Sequence, residues 1–245
     1  MLTFIRSAAL AAMLSLVPAA SLSSATVEAG APAAAAVRQA VAKPAPKPEF
    51  GLEIGHQHAS GLAPGQTAED FKAWLRRSPA HRAELSGFQA YLAAAGVASV
   101  VPTWQLVRTS SSWRECGAEP FEAPPADKWQ HIVNTLKFVR DQVVPAVGEV
   151  EALSAYRNEQ LNACSDGAPK SAHRQFFALD LTPVSKDVAR EELIRSVCIA
   201  HAQDGRNYDA GLGFYTGRRF HVDSNGFRKW GPNGKGATSP CVSYA

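Results

Sequence analysis

No C-x-x-C pair occurs in this 245-residue chain. Its four cysteines, Cys116, Cys164, Cys198 and Cys241, stand far apart. A zinc site built on clustered thiolates is therefore excluded. Charge of one sign is also scarce: 25 Lys and Arg against 22 Asp and Glu leave a formal net charge of +3. No clustered basic patch of the kind nucleic-acid binding needs is present, and the small excess favours at most an anionic partner. Long apolar runs are missing too. Ser7 to Leu16 is followed closely by Pro18 and falls short of the roughly 20 residues a membrane helix requires. No cysteine lies near that run, so a lipidated N-terminus has no attachment point.

What is present near the start reads as a secretory signal. Arg6 supplies the positive region, Ser7 to Leu16 the apolar one, and Ala19, Ala20, Ser23 and Ala25 the small residues of a cleavage site. Residues 1–25 are assigned to this signal, with cleavage near Ala25. The mature chain is expected to be secreted or periplasmic, monomeric and without a stable membrane span. Residues 26–65 are rich in Ala and Pro and read as a disordered linker, because such a composition buries little surface. His56-Gln57-His58 lies within it; with no third ligand near in sequence, it reads as a polar loop. Residues 66–245 suffice for one domain. An even cysteine count in an exported chain suggests two disulfides. Three pairings satisfy the count. The favoured one joins Cys116 to Cys164, next to the candidate site, and Cys198 to Cys241, which would tether the C-terminal tail.

Within that domain, apolar spacing predicts helices over 67–77, 79–95, 126–144 and 186–204. Strands are expected over 98–108, within 145–157, from Phe176 to Pro183, and as two short segments between Gly211 and Asp223. His131 and His201 read as helix-surface residues, and Trp230 as a core residue. The tail from Gly231 reads as irregular.

The chemistry concentrates in S-A-H-R-Q-F-F-A-L-D, residues 171–180, which sets His173 and Asp180 seven apart. His221 follows in F-H-V-D. Two imidazoles and a carboxylate make a three-ligand set of the sort catalytic zinc sites use, with the fourth position left for water or substrate. Upstream stands S-A-Y-R-N, containing Tyr156 and Arg157.

Together S-A-Y-R-N-E-Q-L-N, S-A-H-R-Q-F-F-A-L-D and G-L-G-F-Y-T-G-R-R-F-H-V-D resemble the zinc D-alanyl-D-alanine carboxypeptidases and related murein endopeptidases, which share their fold with the hedgehog signalling domain. The resemblance covers residues 126–245 well and 66–125 loosely. It implies an α+β fold with a central, mostly antiparallel sheet and flanking helices. It implies zinc on His173, Asp180 and His221, and a peptidoglycan stem peptide as substrate. Arg157 would meet a carboxylate of that peptide, Ser171 would hydrogen-bond it, and Tyr156 would pack beside the site. The chain departs from the pattern in two places. Arg218 and Arg219 stand where the family places a general base. Asp223, the nearest carboxylate, then serves as the base, orients His221, or caps the strand. Phe176 stands where the family commonly has Gly. Two functions are consistent with these residues: a zinc peptidase cutting stem peptides, and a catalytically inactive, zinc-stabilised wall-binding module.

Overall fold

The computed structural model describes residues 61–244. The signal, nearly all of the linker and His56-Gln57-His58 lie outside the described residues. The linker's last residues already pack: Ala63 is buried, and the carbonyl of Pro64 accepts a hydrogen bond from the Trp113 indole at 3.1 Å.

Helix α1 (Ala68–Arg77) starts where Thr67 and Asp70 cap it reciprocally, each backbone N–H meeting the other's side-chain oxygen. Ser78 caps α2 (Pro79–Ala94), with Pro79 in the first turn, where its missing N–H costs nothing. Phe71, Trp74, Leu85, Phe88 and Leu92 form the buried stripe of this helix pair.

Residues 98–108 are not a strand. Pro102 leads into a tight 3-10 turn, Thr103–Val107, and residues 105–110 are buried in succession. The apolar residues at the end of the run reflect consecutive burial rather than alternation. The backbone N–H of Ala152, which a neighbouring strand would have taken, donates instead to the Gln105 side chain at 2.9 Å.

The helix expected over 126–144 changes pitch along its length. It runs from a 3-10 turn (Ala126–His131) into α3 (Ile132–Phe138), a π turn (Val139–Val143) and α4 (Val144–Val147). Pro145 cannot donate to the preceding turn, which accounts for the widened pitch just before it. Gly148, at φ 77°, ends the run and admits β1 (Val150–Ser154). Asn158 then caps the short α5 (Glu159–Cys164).

The remaining elements are β2 (Ala178–Pro183), α6 (Arg190–Asp204), β3 (Gly211–Phe214), β4 (Phe220–Asp223) and β5 (Arg228–Trp230). The five strands form one mixed sheet in the order β1-β2-β4-β3-β5, antiparallel except for the β3–β5 pair. Together with the helices this is an α+β architecture, and β5 is a strand the sequence reading lacked.

The two faces of the sheet carry opposite chemistry, as a period of two requires. Leu179, Leu181, Leu212, Phe214, Phe220 and Val222 point one way into the apolar core, where α3 packs on β2 and β4. Asp180, Arg219, His221 and Asp223 alternate with them and occupy the other face. His201 is a correction: it is buried, with Nε2–H donating to the Ala210 carbonyl at 2.8 Å and its ring stacked on Phe227. Its place on α6 faces the sheet's far edge rather than solvent.

Both disulfides form, Cys116–Cys164 and Cys198–Cys241. No helix among the described residues is long and apolar enough to cross a membrane. The disulfides fit an oxidising, extracellular setting. The second bridge closes 43 residues between α6 and the final 3-10 turn. Replacing Cys198 and Cys241 together with Ala is expected to lower stability by about 2–4 kcal/mol in urea denaturation.

Candidate metal centre

Asp180 sits in the middle of β2 and pairs directly with His221 across the β2–β4 ladder. His173 arrives from a 3-10 turn, Ala172–Gln175, that Ser171 caps by accepting from the His173 N–H at 3.3 Å. The turn closes on Phe176, whose φ of 59° is left-handed while its ring is fully buried. The conformation that favours glycine is retained here, and a large side chain is fixed in the core instead. The departure at Phe176 therefore leaves the turn intact.

Three ligand atoms converge. His173 Nε2 lies 3.3 Å and His221 Nδ1 3.2 Å from the same oxygen, Asp180 Oδ1. All three lie within 4.8 Å of one another, so this group could hold a metal ion. Bonds of about 2.0–2.2 Å at a tetrahedral angle put neighbouring ligand atoms about 3.3–3.6 Å apart, and the two Asp180–histidine pairs are close to that.

The protons are arranged for the same purpose. His173 Nδ1 donates to the Ala155 carbonyl at 2.6 Å, leaving Nε2 as the bare nitrogen. Burial, and then the nearby Arg157 guanidinium, push His173 down to about 4, so it is neutral at ordinary pH. His221 Nε2 meets Asp223 Oδ2 at 2.8 Å, which directs Nδ1 at Asp180. Burial opposes a proton on His221, but Asp180 and Asp223 outweigh it and raise its affinity for one.

The other oxygen of Asp180 is taken by two guanidiniums. Arg157 Nη2 donates to Oδ2 at 2.6 Å and Arg219 Nη2 at 2.7 Å. Tyr215 donates its hydroxyl to Oδ1 at 2.9 Å. Burial opposes the charge on Asp180, yet its interactions with His173, with the Arg219 guanidinium and with His221 hold it well below the usual carboxylate range. With Oδ2 occupied, Asp180 can offer a cation only one oxygen.

A cavity of about 400 Å³ opens onto the two histidines. Arg157, Tyr215, Trp230, Lys170 and Asp166 share its wall. Trp230 is half-buried, tilted against His221 with ring centroids 5.3 Å apart, and forms a wall rather than core. Glycines of β3 make room for this wall. A Cβ at Gly213 would fall 2.0 Å from the Trp230 ring, and one at Gly211 would fall 2.4 Å from Asp223 Oδ2.

Not every expected residue reaches the cavity in the expected way. Arg157 does line it, but its Nη2 and Nε point inward, to Asp180 and to Ser154 at 3.1 Å. Ser171 lines it and caps the ligand turn. Tyr156 packs edge-on against Phe176 beneath the Lys128 ammonium and is not part of the wall. Asp223 is held by His221, by Arg228 through both oxygens, and by the Asn225 N–H at 2.8 Å. Arg219 and Tyr215 are the residues the sequence reading passed over. Arg219 shares the alternation that places His221 and Asp223 on one face of β4, and that was the available signal.

No protein-family model matches this chain, and neither a curated protein nor a solved structure matches it, so the centre is read from its own geometry.

A metal ligand must shed its proton, so uptake competes with protonation of His221. Zinc affinity is expected to fall as pH drops through the raised His221 value, approaching about tenfold per pH unit below it, by calorimetric titration. Asp223→Ala should weaken binding at fixed pH by about 10- to 100-fold. Asp180→Asn should destabilise even the metal-free protein, by about 3–5 kcal/mol, because two buried guanidiniums lose their counter-charge.

Proposed function

We propose that this chain is an exported zinc peptidase of the hedgehog/D-alanyl-D-alanine peptidase type, acting on peptidoglycan stem peptides. The observation that carries the reading is the convergence of His173 Nε2, His221 Nδ1 and one oxygen of Asp180 beside an open cavity. Two imidazoles and one carboxylate are a donor set that suits zinc. Bound there, zinc would polarise a scissile carbonyl and activate water for attack.

The protein's own groups supply the rest. Arg157 and Arg219 outnumber the carboxylate they hold, so the site stays electropositive. That favours negative charge developing on a carbonyl oxygen in the cavity. Burial and Asp180 raise the Tyr215 phenol above its usual range, which keeps it neutral and a hydrogen-bond donor. Lys170 on the cavity wall suits a peptide that carries free carboxylates. Asp223, enclosed by its partners, orients His221 and is not the proton acceptor. Asp166 is the carboxylate that lines the cavity wall among the described residues, and it is the group to test as proton acceptor.

One observation favours the inactive wall-binding module instead. The family's base positions hold Arg218, bonded to the carbonyls of Pro183, Ser185 and Val188, and Arg219, buried on Asp180. Digestion of purified peptidoglycan separates the two readings. A peptidase releases cleaved stem peptides with zinc, and loses that activity with chelator and in His173→Ala. Asp166→Asn should then lower turnover by about 10²–10⁴-fold with zinc content unchanged. Binding to the wall with no product from the wild type would establish the module.

A further inference from the structure

A second cleft, of about 410 Å³, lies between the end of α6 and β5, outside the centre described above. Its floor is apolar, formed by the Cys198–Cys241 disulfide and Phe227, with buried His201 beside them. Three cations line it: Arg206, Arg228 and Lys229. No Asp or Glu does.

The cations differ in how far they are compensated. Arg228 is paired through both terminal nitrogens with Asp223. Arg206 and Lys229 pair with no carboxylate among the described residues. Arg206 lies 4.3 Å over the Phe227 ring, which steadies the guanidinium without neutralising it. Lys229 Nζ donates to the Cys241 carbonyl at 3.2 Å, which fixes the ammonium and leaves further N–H groups to offer. Asp204 and Asp209, the acids nearest in sequence to Arg206, do not line the cleft.

Two uncompensated positive charges, held in place over an apolar floor in a concave wall, concentrate potential where a ligand's charge would sit. A guanidinium edge and an ammonium are the groups that bind oxyanions through charge-assisted hydrogen bonds. We propose that this cleft is a binding site for a doubly charged oxyanion, a phosphate or a pair of carboxylates, recognised by Arg206 and Lys229. Arg228 lines both this cleft and the cavity at the metal centre. The oxyanion site itself does not depend on the peptidase reading.

The test titrates the ¹⁵N-labelled full chain with inorganic phosphate and, separately, with malonate. The chain is stripped of metal with chelator and desalted from it beforehand, so that neither a bound metal nor the chelator's own carboxylates interfere. Saturable shifts centred on Arg206, Phe227 and Lys229 are expected, weakening as salt is added. The Arg206→Gln/Lys229→Gln double variant should lose at least about tenfold in affinity. Glutamine at 229 keeps a donor for the Cys241 carbonyl, and each single variant should show an intermediate loss. Tighter phosphate binding identifies a phosphate-bearing ligand, and tighter malonate binding a carboxylate-bearing one. Shifts that do not saturate, or an affinity unchanged in a folded double variant, would overturn the assignment.

Discussion

The sheet's polar face is organised by one buried carboxylate. Asp180 has no solvent exposure, and an ion that has lost its hydration must be surrounded by compensating groups. Arg157 and Arg219 do this on one oxygen and Tyr215 on the other, which also faces the ring nitrogens of His173 and His221. They come from the segment after β1, the turn before β2, β4 itself and the end of β3. The β2–β4 register brings Asp180 opposite His221, and a slip of one residue would turn every one of these polar groups into the apolar core. The register is thus specified from both faces at once.

Once Asp180 is satisfied in this way, the surroundings follow. His221 must present Nδ1 to it, which requires a partner for Nε2, and Asp223 supplies one two residues on along the same face. Asp223 is itself buried and calls in Arg228 from the neighbouring β5. The short parallel pairing of β3 with β5 delivers Arg228 and Trp230 to the centre. That pairing is compatible with the ladder only because β3 carries Gly211 and Gly213 on this face, where larger residues would strike Asp223 and Trp230. The Gly-Leu-Gly run is a steric condition for having a cavity at all.

Much of this was legible beforehand. The capped helices α1 and α2 and the apolar alternation of β2 and β4 follow from local chemistry that a sequence displays; an even cysteine count suggests two disulfides but leaves three pairings open. His173, Asp180 and His221 read as one ligand set from their residue types and from the resemblance their segments carry, and the β2–β4 register is what sets Asp180 opposite His221. What was hidden depends on long-range partners. Residues 98–108 look like a strand because they are apolar, yet they bend tightly after Pro102 and their last residues, 105–108, are buried in succession. His201 looks like a surface residue because its partner carbonyl, Ala210, lies beyond the helix that carries it. Arg219 was treated only as a failed base, since an arginine buried with no exposure is rare unless a carboxylate waits for it. The carboxylate was already identified, and the alternation of β4 already placed Arg219 beside it.

The charge around Asp180 also bears on how the centre could work. A carboxylate ligand shared with two guanidiniums donates less negative charge to a cation than one bound only by neutral groups. The cation is left more exposed electrostatically, a stronger attractor for anions and a stronger acidifier of whatever it binds. A site so charged has less need of a strong neighbouring base than one whose ligands neutralise the metal. The same excess opposes loading, because a dication must approach two fixed positive charges, one of them, on Arg157, with a nitrogen 3.5 Å from His173 Nε2. Arg219 and Arg157 would thus act on a cation held there in two opposed ways, strengthening the activation it supplies and weakening its loading.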